Sequence, residues 1–143
     1  FESIIQNRTV FTNRKTKDIF GRKNIDDNEW DIIIVDCDKH IIFDVEAKFI
    51  STSLTESRLS NDLKKFVKSK KGYIEKFEKR IRIENENLGD FTTFCKADTS
   101  YTIEHIMVTS KIMELNIESP DRNFKIIHFD GLKNYLIKSY YSK

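Results

Sequence analysis

The sequence predicts an α/β domain built on a mixed sheet. Three observations carry that prediction. β-rich apolar runs recur at 30–35, 40–50, 101–109 and 124–129, with helical-period stripes between the second and third and after the fourth. The 143 residues are one domain's worth of chain. The order of strands, helices, strand, strand, helix calls for a helical crossover, which is right-handed if the strands it joins are parallel.

In chain order, residues 3–11 predict a short strand and 12–28, polar and holding Gly21, a loop. WDIIIV at 30–35 predicts a strand, Asp36 to Lys39 a turn, and HIIFDVEAKFI at 40–50 the returning strand. Ser53 and Glu56 fit a capping box ahead of Leu59, Leu63, Phe66 and Val67 at helical spacing. After a break at Gly72, Tyr73, Ile74, Phe77 and Ile81 continue a second helical stripe, so 53–90 reads as a helical, basic insertion. Residues 85–100 read as irregular, 101–109 as a buried strand and 124–129 as a fourth strand. Asp130 is expected to cap a last helix carrying Leu132, Tyr135 and Leu136.

A charged fraction of 34% is high, but 38% apolar residues and eleven Phe indicate a folded chain with a real core. No apolar run approaches the ~18 residues of a membrane span. Cys37 and Cys95 make no CxxC pair and read as free thiols in an intracellular compartment, cytoplasm or nucleus. His40, His105 and His128 lack zinc-ligand spacing, and the last two read as structural residues in strands. The chain opens at Phe1, which reads as a piece of a longer protein.

Chemistry concentrates on the hairpin. In the strand at 40–50, Ile41, Phe43, Val45, Ala47 and Phe49 alternate onto one face, expected to be core, while Asp44, Glu46 and Lys48 line the other. A turn centred between Asp38 and Lys39 pairs residues whose numbers sum to 77. Trp30, Ile32 and Ile34 then lie beside Ala47, Val45 and Phe43. A one-residue slip would drive charges into the core, so the pattern selects the register. The same register sets Asp31 opposite Glu46 and Glu29 opposite Lys48. Two carboxylates so close repel unless a cation lies between them, and Mg²⁺ takes hard oxygen ligands from one or two carboxylates. Lys48 reaches the same side, where it can stabilise a phosphate oxygen or orient a water. Asp44 and Glu29 read as solvated or salt-bridged.

The stretch EWDIIIVDCDKHIIFDVEAKFI resembles the catalytic hairpin of the PD-(D/E)XK, or restriction-endonuclease-like, nucleases, nearest their NERD and Holliday-junction-resolvase-like branches. Asp31 matches the first acidic position and Glu46-Ala47-Lys48 the (D/E)XK element; Trp30 stands where many members have Pro. The resemblance implies a restriction-endonuclease-like mixed central sheet flanked by helices. It also implies Mg²⁺ or Mn²⁺ held by Asp31, Glu46 and the Ala47 carbonyl, Lys48 assisting the water, and hydrolysis of phosphodiesters, with Asp31, Glu46 and Lys48 as the catalytic set. A further acidic ligand, for which Glu2 is the candidate, is not fixed by the match.

Charge patterning agrees with a nucleic-acid partner, which the resemblance makes DNA ahead of RNA. Eight acidic residues and one basic lie between Asp26 and Glu46, and nine basic and two acidic between Lys64 and Arg82. Arg58, Lys64, Lys65 and Lys68 are the candidate phosphate-binding residues, set against a plain solvated helix face. Tyr101, Tyr140 and Tyr141 read as packing residues that can also stack on bases. The leading expectation is a metal-dependent DNA endonuclease, acting as a homodimer or within a larger chain. RNA cleavage at the same site and an inactive nucleic-acid-binding module are the alternatives.

Overall fold

The computed structural model describes residues 7–21, 24–48, 72–110 and 123–141. Among these residues five strands form one mixed sheet in sequence order: β1 Arg8–Lys15, β2 Glu29–Asp36, β3 Ile41–Lys48, β4 Thr102–Thr109 and β5 Lys125–His128. The first three run antiparallel as a meander, and β4 and β5 continue parallel to β3. Among the described residues the helices are α1 Thr16–Phe20, α2 Tyr73–Glu86, α3 Leu88–Phe94 and α4 Phe129–Tyr141. None of the described helices is long and apolar enough to cross a membrane.

The sheet has a core on each face. Phe43 and Val45 of β3, Ile106 and Val108 of β4, and Leu136 of α4 form one, with Ile32 and Ile34 packed against it. On the opposite face α1, α2 and α3 supply Ile19, Phe20, Ile83 and Phe91, which bury Trp30, Ile33, Val35 and Ile42. Beside them Ile74, Phe77 and Ile81 of α2 close over Met107 and Phe124. Each fully buried side chain of this size is worth about 1.5–3 kcal/mol of transfer free energy. β3, central and parallel to β4, is therefore buried on both faces from Ile42 to Glu46.

The predicted register holds: Ile32 pairs with Val45, Ile33 with Asp44, Ile34 with Phe43 and Asp36 with Ile41, each pair summing to 77. The strand bounds differ modestly. β1 runs on to Lys15 and is followed by the short α1, where a loop was expected. α1 ends at Gly21, whose φ of +71° suits a residue without a side chain. The expected irregular stretch at 85–100 contains α3, seven residues in which a stripe barely repeats. Asp130 sits within the first turn of α4 rather than capping it, and still favours the positive end of the helix dipole. The first expected helix, from Ser53 to Val67, lies outside the described residues, as does Phe49.

Candidate active site

Two expectations about the hairpin need correction. The face carrying Asp44 and Glu46 is buried: Asp44 has no exposed surface and Glu46 has 8%. Ala47, expected in the core, is exposed. The cause is the arrival of α2 over that face, with β4 paired alongside. The second correction concerns Trp30. It packs with Ile33 and Val35 under α1 and α2 instead of joining Ile32 and Ile34 on the far face. The β2–β3 ladder stops at Ile32, and beyond it the Asp31 Oδ2 accepts the Ala47 N–H at 2.8 Å. Asp31 thus continues the connection to β3 through its side chain, and the regular alternation is broken there.

The open end of this hairpin forms a cleft of about 220 Å³ lined by Asn28, Glu29, Asp31, Glu46, Lys48, Lys76, Phe77 and Arg80. Asp31, Glu46 and Lys48, the three residues singled out on sequence, therefore share one cavity. Lys48 is ion-paired to Glu46 Oε1, and its ammonium lies 4.9 Å from the centre of the Tyr73 ring. Partial burial raises the Asp31 carboxyl above its usual range. The Ala47 N–H opposes that rise, the Glu46 charge adds to it, and Lys48 and Arg80 oppose it.

Arg80 is the residue that sequence reasoning missed. It was counted only as one of the nine basic residues between Lys64 and Arg82, yet it is 3% exposed. Its Nη1 donates to Glu46 Oε2 and, at 2.9 Å, to the Glu29 carbonyl; its Nη2 donates to Asp44 Oδ1 at 2.7 Å. The guanidinium carbon lies 4.6 Å from the Phe77 ring centre and 5.5 Å from that of Trp30. Burial disfavours this charge, but Asp44, Glu46 and Glu84 outweigh the burial and hold it. Its signal was present in the spacing. Phe77, Arg80, Ile81 and Glu84 lie on one helical stripe at i, i+3, i+4 and i+7, so two charges interrupt an apolar face.

Beneath the cleft lies a second polar layer. Glu84 has no exposed surface; Trp30 Nε1 donates to its Oε1 and His105 Nε2 pairs with its Oε2, both at 2.6 Å. His105 stands beside Asp44 in the β3–β4 ladder. Burial raises Asp44 well above the usual carboxylate range against the pull of Arg80, and raises Glu84 too; it lowers His105. Among the described residues no donor is directed at Asp44 Oδ2. Glu84 adds to the rise at Asp44 through its charge and its side-chain oxygen, an arrangement that a proton on Asp44 would satisfy. The ligand atoms of Asp44, Glu84 and His105 all lie within 4.8 Å of one another, a spacing able to hold a metal ion. Glu84, however, already spends both oxygens on Trp30 and His105.

The remaining expectations divide. Glu29 lies at the rim of the cleft, exposed. Arg58, Lys64, Lys65 and Lys68 lie outside the described residues, as do Glu2 and the earlier part of the basic run. Of the described part of that run, Lys76, Lys79 and Arg82 are exposed, and Lys79 pairs with Asp26 at 2.6 Å. Cys37 and Cys95 are free thiols. Tyr101 stacks on His40 with ring centres 4.7 Å apart. The chain matches no family model, no curated protein and no solved structure.

Proposed function

We propose that this domain is a divalent-metal-dependent endonuclease that hydrolyses phosphodiester bonds in DNA. The observation that carries this reading is the shared cleft: two carboxylates and one lysine from the two strands of a hairpin open into a single cavity beside Lys76 and Arg80. The residues fit a hard cation. Asp31 and Glu46 offer oxygen donors close enough for the charge of one to raise the other, and Lys48, the more exposed of its pair, is ion-paired to Glu46. A bound Mg²⁺ or Mn²⁺ would supply Lewis-acid polarisation and an activated water. Asp31 and Glu46, with the Ala47 carbonyl, hold it. Lys48 stabilises charge at the phosphate or orients the attacking water, and Lys76 draws the phosphate toward the cleft.

The test is incubation with Mg²⁺ or Mn²⁺ and a panel of single-stranded, double-stranded and branched DNA and RNA. Metal-dependent scission of DNA, lost on chelation and in Glu46→Gln, is the expected result. Scission of RNA alone would reassign the substrate. Binding without scission would leave a nucleic-acid-binding module.

A further inference from the structure

Glu46 is held by two cations of unlike kind. Arg80 is sealed under α2, its side chain 4% exposed, and it is anchored at three points: Glu46 Oε2, Asp44 Oδ1 and the Glu29 carbonyl. Lys48 is on a flexible stem at the rim, 23% exposed, and touches the other oxygen, Oε1. A guanidinium fork of fixed geometry fits two carboxylates and a carbonyl at once, whereas an ammonium is a point charge free to swing. Only one of the two ion pairs can be given up without stranding buried charge. Removing Arg80 would leave the Glu46 carboxylate beneath the helix without its buried counter-ion and Asp44 Oδ1 without its donor, whereas displacing Lys48 returns an ammonium to water.

We propose that Arg80 is a positioning residue that confines Glu46 to one-oxygen ligation of a divalent ion, with Lys48 as the cation that the ion displaces. The inference rests on the metal-dependent reading of the cleft. One-oxygen ligation suits Mg²⁺ and Mn²⁺, which keep several waters in a near-octahedral shell. It disfavours Ca²⁺, which gathers more oxygens and readily takes both from one carboxylate. Displacement also turns the Lys48 ammonium from Glu46 toward the cleft, where a phosphate would lie.

Titration of the purified domain with Mn²⁺ and with Ca²⁺ by calorimetry tests this, with circular dichroism to confirm folding. Arg80→Lys keeps a charge but, with all its donors on one nitrogen, cannot reproduce the fork by which Nη1 and Nη2 reach Glu46, the Glu29 carbonyl and Asp44. Its Mn²⁺ affinity should fall roughly 10–100-fold, the usual effect of losing a partner that orients a ligand, while Ca²⁺ affinity falls much less or rises as Oε2 becomes available. Equal weakening for both ions, or an unchanged ratio, overturns the proposal. Should Arg80→Lys fail to fold, Lys48→Met decides: its Mn²⁺ affinity should exceed the parent's several-fold, and equal or weaker binding overturns the displacement. Glu46→Gln separates the two levels. If it titrates like the parent, the metal reading of the cleft fails and the inference with it. If it loses the ion while Arg80→Lys keeps the parent's preference, only the role of Arg80 fails.

Discussion

The Trp30 indole N–H donates a 2.6 Å hydrogen bond to Glu84, joining the start of β2 to α2 across 54 residues of sequence. Both side chains have no exposed surface. The bond fixes α2 over the polar face of β3, and so sets where Arg80 stands above Asp44 and Glu46. Trp30→Phe keeps an aromatic ring, smaller than the indole, and leaves a Glu84 oxygen buried without its donor. It should cost about 1–3 kcal/mol in denaturant unfolding. A cost near zero would mean that the helix is seated by its apolar stripe alone.

A second consequence concerns pH. Burial raises the Asp44 carboxyl in the folded protein, so the fold holds a proton that the unfolded chain gives up at ~3.9. Asp44 thus contributes stability that is fully present below the unfolded value and is lost as pH rises through the folded one. His105 works in the opposite sense. Burial lowers it, so its contribution is present above ~6.5 and is lost as pH falls through the folded value. Asn at 44 mimics the protonated acid, accepting from Arg80 and donating to Glu84. Asp44→Asn should therefore match or exceed the parent's stability at neutral pH and show a flatter loss on the alkaline side. A deficit of about 3–5 kcal/mol at every pH would instead mark Asp44 as the charged partner of Arg80.

The sequence made the hairpin register legible because its two strands alternate with few acceptable slips, and the turn at Asp38 and Lys39 closes only one of them. It concealed the burial of Asp44 and Glu46. A strand with apolar and charged residues in alternation reads as half-exposed, and its counter-charge comes from Arg80, 34 residues beyond Glu46. Such pairing is a tertiary event with no local period. The break in alternation at Trp30 was hidden for a related reason, since it depends on the Asp31 side chain replacing a ladder bond. The helices α1 and α3, five and seven residues long, are too short to establish a periodic stripe.

Nucleic-acid affinity should reside unequally on the exposed side of α2. Lys76 lines the cleft and Arg82 is exposed, whereas Lys79 is already paired with Asp26. Lys76→Ala with Arg82→Ala should weaken binding across sequences and reduce the slope of log K against log salt by about 0.9 for each duplex-DNA phosphate no longer neutralised. Lys79→Ala should do less. Affinities and slopes equal to the parent's for both the double variant and Lys79→Ala would identify the helix charges as a solvated face.

The sharpest separation is between holding the ion and acting on the phosphate. Glu46→Gln preserves shape but removes a carboxylate charge from the cleft, so Mn²⁺ affinity and cleavage should fall together. Because Glu46 is buried against Arg80, this variant should also lose about 1–3 kcal/mol of stability, the scale of a hydrogen bond to a charged group. Lys48→Ala leaves Asp31 and Glu46 in place, and its side chain is the more exposed of the Lys48–Glu46 pair, so the fold should be little affected. Mn²⁺ should still bind, while cleavage falls by about 10²–10³, the usual effect of deleting one group that stabilises developing charge. Calorimetry with Mn²⁺ and single-turnover cleavage on the two variants, both checked for folding, would read these losses separately. If Lys48→Ala cuts as fast as the parent, its ion pair with Glu46 is only a surface interaction, and the likeness of Glu46-Ala47-Lys48 to a nuclease element is fortuitous.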